Sequence, residues 1–170
     1  MQAADFGDVN ITKGQAPASE VISLSNPNAQ PVTVTDLQAS APFRIVTDTC
    51  RGTPVQGQAS CTVTVQFAPT KLGASTGTLT VKSEAGPATA QLSGTGFVTL
   101  TIDIGPAAGT VTGDGFKCEK ASCSEQITGP ITLAAVSTGF KDWKDSCPLG
   151  NGAICGPLNL TADTTITAQF

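Results

Sequence analysis

Apolar and polar residues alternate along the chain in short runs that recur about every ten residues, with turns rich in glycine and proline between them. Seven such runs fall within the first 95 residues: DFGDVNI, EVISLSN, PVTVTDL, FRIVTD, SCTVTVQF, GTLTVKS and ATAQLSG. In the fifth run, Cys61, Val63, Val65 and Phe67 share one face. The 3.6-residue period of a helix is absent from this part of the sequence. The pattern predicts an antiparallel β-sandwich of seven short strands.

The pattern resets at SGTG, residues 93–96, and a new alternating run, VTLTIDI, begins at Val98. The runs GTVTG, ITLAAV and TTITAQF follow it. We therefore expect two all-β domains, residues 1–97 and residues 98–170, joined rigidly by a link of two or three residues. The second domain has only 73 residues. A domain of that size buries a limited core and usually needs cross-links.

The chain has six cysteines, and four of them lie in the second domain. Their spacing favours three disulfides, each closing a hairpin-sized loop: Cys50–Cys61, Cys118–Cys123 and Cys147–Cys155. Free buried thiols and a zinc site are the alternatives, although none of these spacings is the CxxC that zinc knuckles prefer. Disulfides predict an oxidising location: extracellular, at the cell surface or periplasmic.

Composition excludes several classes of function. The sequence contains no His and no Tyr, which removes Ser-His-Asp catalysis, Cys-His catalysis and metal sites that need imidazole. A net charge of −4 argues against a nucleic-acid partner. No apolar run reaches the roughly 18 residues that span a bilayer, so a transmembrane chain is not expected. We expect no catalytic residue, no cofactor and no metal.

Trp143, in GFKDWKDSC, is the one candidate ligand contact. An exposed indole would offer a platform for a sugar or a peptide, whereas a lone large aromatic in a small domain more often packs in the core. Asp142 and Asp145 flank it together with Lys141 and Lys144. Because these charges alternate and cancel, they predict a solvated loop rather than a calcium site.

Two further sets of residues allow a functional interpretation, although an ordinary structural one explains them as well. Asp103, Asp114 and Glu119 could supply the paired carboxylates of a glycoside hydrolase, but a small domain without a cleft favours surface charges. Asn10 and Asn159 begin glycosylation sequons, N-I-T and N-L-T. The motif is short, and we interpret both occurrences as accidental.

Residues 60–96 resemble the Hydin-type, or ASH, immunoglobulin-like family, whose bacterial versions occur in surface proteins of the choice-of-anchor D kind. The resemblance lies in the strand CTVTVQFAP, the hairpin GASTGTL and the closing LSGTG, together with the upstream segments DFGDV and SLSNPN. It extends over residues 5–96. The resemblance implies a seven-stranded immunoglobulin-like sandwich with a disulfide between Cys50 and Cys61.

Residues 98–170 resemble the divergent internalin-type B-repeat of bacterial surface proteins. The resemblance lies in LTIDIGPAAGTVTG, FKCEKASC, GFKDWKDSC with the later Cys155, and the final TTITAQF. The small-residue turn that usually follows the Trp is replaced here by Lys144-Asp145. The resemblance implies a small β-grasp-like fold and extracellular stalks rather than catalysis.

We therefore expect a non-enzymatic structural or adhesion module, acting as a rigid spacer or stalk in a bacterial surface, secreted or periplasmic protein. Its partners would be other modules of the same protein, neighbouring surface proteins, a glycan or a host cell-surface protein. One alternative is a carbohydrate-binding module of a secreted enzyme. Another is a subunit of an extracellular filament in which an edge strand pairs with a neighbour.

Overall fold

The protein is described by a computed structural model that covers residues 2–12, 16–106, 109–145, 147 and 152–170. These residues form β-strands and turns, and among them there is no helix long and apolar enough to cross a membrane. The all-β class predicted from the alternating pattern is confirmed. The described residues group into two compact units, which we describe separately.

The first unit contains residues 2–9, 16–70 and 74–96. Its strands are β1 (Ala4–Asn10), β2 (Ala18–Ser25), β3 (Val34–Ala39), β4 (Phe43–Asp48), β5 (Ser60–Phe67), β6 (Gly73–Ser83) and the first part of β7 (Gly86–Asp103). One sheet has the order β2-β5-β4, and in the other β7 pairs with β1 and β6, and β6 with β3. Seven strands in two sheets form the predicted immunoglobulin-like sandwich.

The core of this sandwich comes from the alternating positions of its strands. Val63, Val65 and Phe67 of β5 are fully buried, as the pattern predicts. The Phe67 ring packs on Phe43, with ring centroids 4.8 Å apart. Gly94 lies so close to the same ring that a Cβ there would come within 2.5 Å of it. The glycine of the SGTG motif is therefore required by close packing of β7 on Phe67.

The second unit contains residues 10–12, 71–73 and the described residues from 97 to the end. Its further strands are β8 (Val111–Gly113), β9 (Phe116–Cys118), β10 (Ser122–Ile127), β11 (Ile131–Ala135), β12 (Asp142–Asp145), β13 (Ile154–Leu158) and β14 (Thr164–Gln169). In one sheet, the end of β7 pairs with β10 antiparallel and with β14 parallel, and β12 pairs with β14. The other sheet has the order β13-β11-β8-β9.

The compact units differ from the predicted domain ranges, 1–97 and 98–170, at two places, and those ranges stay a prediction. First, residues 10–12 and 71–73 group with the second unit rather than with the first. Second, the expected link is not a separate segment, because β7 is one strand of 18 residues that continues through it. An alternating pattern with a glycine-rich interruption is compatible with a continuous strand, since glycine is tolerated where another side chain approaches closely.

Hydrogen bonds explain why residues 10–12 belong to the second unit. The Ile11 amide donates to the Phe97 carbonyl at 2.8 Å. The Asp163 carboxylate accepts from Asn10 Nδ2 at 2.8 Å and from the Thr99 amide at 2.7 Å, while the Asp163 amide donates to Thr12 Oγ1 at 2.9 Å. The first sequon is thus part of a hydrogen-bond network, in which the Asn10 amide group is already engaged.

Candidate functional site

All six cysteines form disulfides, in the predicted pairs. The Cα–Cα distances are 5.1 Å for Cys50–Cys61, 5.8 Å for Cys118–Cys123 and 5.6 Å for Cys147–Cys155. Each bridge joins residues of the same unit, and no cysteine is free. The six sulfurs are therefore occupied by structural bonds, and neither the free-thiol nor the zinc alternative describes them.

Trp143 lies in β12, opposite Ala168 of β14. Its side chain is only 8% exposed and its ring packs against Phe140, with centroids 5.3 Å apart. The indole is a core residue, which corresponds to the packing interpretation rather than to an exposed platform. Among the described residues, its Nε1 has no hydrogen-bond partner.

The charges around Trp143 form local pairs. The Lys144 ammonium donates to the Asp142 carboxylate at 3.0 Å, and this hydrogen bond with its charge lowers the pKa of Asp142. Both side chains are exposed, as expected of a solvated segment. Asp145 has its backbone in β12, whereas its side chain lies outside the described part of the chain.

Two of the three carboxylates considered for glycoside hydrolysis have local partners. Asp103 accepts from the Gly105 amide at 2.9 Å, and Glu119 pairs with the Lys117 ammonium at 2.6 Å. Asp114 is exposed in the turn between β8 and β9. Within the described ranges, no three His, Cys, Asp or Glu side chains come together in a metal-binding group. These carboxylates have the positions of surface charges and turn caps.

In the first unit, the Asp48 carboxylate likewise accepts hydrogen bonds from residues nearby in sequence. Its carboxylate accepts hydrogen bonds from the Arg51 guanidinium at 2.7 Å and from the amides of Arg51 and Cys50 at 2.9 and 3.1 Å. The guanidinium bond is the largest cause of the lowered pKa of Asp48. The carboxylate thereby fixes the turn that brings Cys50 to its partner Cys61.

The most extensive polar network of the first unit lies at the end of β2. Asn26 is 6% exposed, and its Nδ2 lies 2.9 Å from the carbonyls of Gln30 and Val55 and 3.2 Å from that of Gln56. Its Oδ1 accepts from the Asn28 amide at 3.1 Å. One buried amide side chain thus joins two loops that are about 30 residues apart in sequence. We call residues 26–30 and 54–59 the Asn26 loop cluster.

Gly57 and Gln58, in the loop of residues 54–59, also pack closely against the loop of residues 26–30. A Cβ at Gly57 would lie 2.2 Å from the Ala29 carbonyl oxygen, so no larger residue fits there without a shift of the backbone. Gln58 has a positive φ of 63°, and its Nε2 donates to the Pro27 carbonyl at 2.6 Å. Side-chain hydrogen bonding of this kind offsets the cost of the left-handed conformation.

A cavity of about 590 Å³ opens beside the Asn26 loop cluster, where β2 ends and β7 begins. Its lining includes the apolar residues Leu24, Val34, Val55 and Val81 and the serines Ser23, Ser25 and Ser83. None of the described lining residues is ionisable. The cavity offers apolar contact and neutral hydrogen bonding, and it contains no group for acid or base catalysis. Sequence reasoning did not identify it, although SLSNPN was noted as a family segment.

Comparison with known proteins gives a family for the sandwich. The model of the family described as "ASH: Abnormal spindle-like microcephaly-assoc'd, ASPM-SPD-2-Hydin" matches residues 2–107. No curated protein matches the chain significantly. The internalin-type resemblance of the second unit stays a prediction.

Two solved structures from Vibrio cholerae are similar to parts of this chain. One is the VesB protease, with 20% identity, a TM-score of 0.41, and coverage of 55% of this chain and 30% of the VesB chain. The other is the secreted serine protease VesC, with 12% identity, a TM-score of 0.44, and coverage of 78% of this chain and 42% of the VesC chain. The chain thus spans less than half of either protein, and likeness at this level carries no argument about activity.

Proposed function

This chain belongs to the ASH (ASPM-SPD-2-Hydin) family, and from that membership we propose that it is a non-enzymatic structural module of a bacterial extracellular, cell-surface or periplasmic protein. The observation that carries the proposal is the set of three disulfides, each closed within one β unit. Such bridges persist in oxidising compartments and stabilise small β units whose cores are limited.

The chemistry of the side chains supports a structural role. The sulfurs of the cysteines are all bonded, Asp103 accepts a hydrogen bond in a turn, and Glu119 pairs with a surface lysine. The cavity beside the Asn26 loop cluster has no ionisable residue among its described lining residues. The cysteines, Asp103 and Glu119 therefore take part in structural contacts.

We propose that the module spaces or attaches other parts of its parent protein, with neighbouring modules or surface proteins as its partners. For the second unit, the internalin-type sequence features support the same role in an extracellular stalk. The carbohydrate-binding alternative rests on an exposed aromatic ring, and Trp143 is buried. No specific observation favours that alternative.

Force spectroscopy tests the structural role. The oxidised full chain, pulled from its two ends, should resist extension until its β units unfold, and should refold when the force is released. The bridges close segments with separations of 11, 5 and 8 residues. At about 3.4 Å per extended residue, less the Cα–Cα distances that the bridges already span, the reduced chain should therefore extend about 65 Å further than the oxidised one. A chain that extends like a flexible linker, without unfolding events, would contradict the proposed structural role.

A further inference from the structure

The first unit leaves one long strand edge without a partner. β2 pairs with β5 over all eight of its residues, from Ala18 opposite Phe67 to Ser25 opposite Ser60. No described residue pairs with the other edge of β2. An edge of this length presents a row of backbone donors and acceptors, with which an added strand can form hydrogen bonds.

The register identifies which residues present those groups. The Asn26 amide donates to the Ala59 carbonyl at 2.9 Å, which continues the register of β2 and β5 by one residue. In an antiparallel pair, hydrogen-bonded and non-hydrogen-bonded residues alternate. The even-numbered residues of β2 therefore bond to β5, and the backbone groups of Ser19, Val21 and Ser23 are directed to the free edge.

The side chains of β2 alternate between the inner and the outer face of the sheet. Ile22 and Leu24 are buried on the inner face of the sheet, and Leu24 also lines the cavity beside the Asn26 loop cluster. Glu20 lies on that same inner face, opposite Val65, and it is exposed. Among the described residues it has no cation within salt-bridge distance. Val21, on the outer face, is 64% exposed.

We propose that the free edge of β2 is a strand-addition site for an extended segment of another polypeptide. The segment places apolar side chains opposite Leu24 and Ile22 and a Lys or Arg opposite Glu20. Charge complementarity selects the cation, since opposite charges on directly paired residues stabilise a sheet and like charges destabilise it. The proposal names a partner for the structural module above and therefore rests on that function.

A second copy of the chain complements this edge less well than a segment that carries a cation. If two β2 strands paired antiparallel about a twofold axis, Glu20 would lie opposite Ala18, Ile22, Leu24 or Asn26 of the other copy, or opposite its own equivalent. None of these registers gives the carboxylate a cation, because β2 contains no Lys or Arg, and one of them brings two like charges together. A heterologous strand with Lys or Arg supplies the cation that a second copy lacks.

The test uses the isotope-labelled full chain and the end-blocked peptide Thr-Val-Thr-Val-Thr-Lys-Thr. Antiparallel addition puts its two valines opposite Leu24 and Ile22 and its lysine opposite Glu20. Titration should give saturable amide shifts centred on Ser19, Val21 and Ser23. A control peptide with Glu in place of Lys should bind about tenfold more weakly. In Glu20→Lys, the order of the two peptides should reverse.

A matched pair of variants separates backbone pairing from side-chain contact. Val21→Pro removes an amide that faces the free edge and not β5, so the sandwich keeps its ladder while peptide binding falls at least tenfold. Val21→Ala keeps that amide and should change affinity less than threefold. If Val21→Pro fails to fold, the charge reversal in Glu20→Lys decides the question alone.

Three results would overturn the proposal. These are no shifts at millimolar peptide, equal affinity for the Lys and Glu peptides, or concentration-dependent pairing of the chain with itself through β2. Each of them would leave the force measurement unaffected. A chain that lacks mechanical resistance yet binds the Lys peptide at β2 would instead refute the structural role and retain the strand-addition site.

Discussion

Replacement of Asn26 by alanine should strongly destabilise the first unit. Its Nδ2 carries two hydrogens, so it satisfies two of the three nearby carbonyls at a time, and its Oδ1 accepts one further bond. At about 1 kcal/mol for each of three hydrogen bonds, Asn26→Ala should cost about 3 kcal/mol. The cost arises because carbonyls of two loops are left without a donor in a buried position.

The matched control is Asn28→Ala. Asn28 contributes to the Asn26 loop cluster through its backbone amide and carbonyl, which alanine retains. The expected change is therefore within about 0.5 kcal/mol. The single tryptophan lies in the second unit, so its fluorescence does not follow unfolding of the first unit. The assay is therefore amide hydrogen exchange of β2 and β5 at increasing urea concentration. Equal exchange free energies for the two variants would refute the role given to the Asn26 side chain.

Three further predictions concern other parts of the fold. Trp143→Phe should change the free energy of unfolding by less than about 0.5 kcal/mol, because an aromatic ring stays packed there and an unpaired buried donor is removed. Trp143→Ala should lower that free energy by about 3–5 kcal/mol, as measured by thermal circular dichroism. Gly94→Ala should destabilise the first unit by about 1–3 kcal/mol in amide exchange, because its Cβ would meet the Phe67 ring. Burial raises the pKa of Asp163, but hydrogen bonds from Thr99, Asn10 and Thr12 outweigh it, so the pKa is lowered from 3.8. The stabilisation that ionised Asp163 contributes is therefore complete above pH 3.8 and is lost as the pH falls through the lowered pKa. Asp163→Asn should lower the free energy of unfolding, measured by tryptophan fluorescence at pH 7, and should differ less from wild type near pH 2.

The strands that the sequence predicts correctly are those with one continuous buried face. In β5 and β6, alternate residues such as Val63, Val65 and Leu79 enter the core, so a period of two is visible along the chain. β12 and β13 lack that signal, because DWKD and ICGPL are short and pair with strands that are specified elsewhere. Their existence depends on tertiary pairing, which a local pattern does not contain.

The candidate sites were harder to predict than the strands, for a related reason. Asn26 precedes a proline in SNPN, which is typical of a turn. Its burial results from a second loop about 30 residues away, and no local signal announces that contact. The free edge of β2 likewise follows from the order of strands in the sheet. The one local hint was Glu20, a charge at a position where the period of two predicts an apolar residue.

The central claim is that disulfides within each β unit adapt this chain to an oxidising compartment, and amide exchange with and without a reductant tests it most directly. By loop entropy, the bridges contribute about 2–3 kcal/mol each. The second unit has two of them and the smaller core, so reduction removes much of a typical stability of about 5–15 kcal/mol. Under reductant, β8 to β14 should lose protection while β2, β5 and β6 keep most of theirs. Full protection of the second unit after all six thiols are free, or prior loss of protection in the sandwich, would contradict the account.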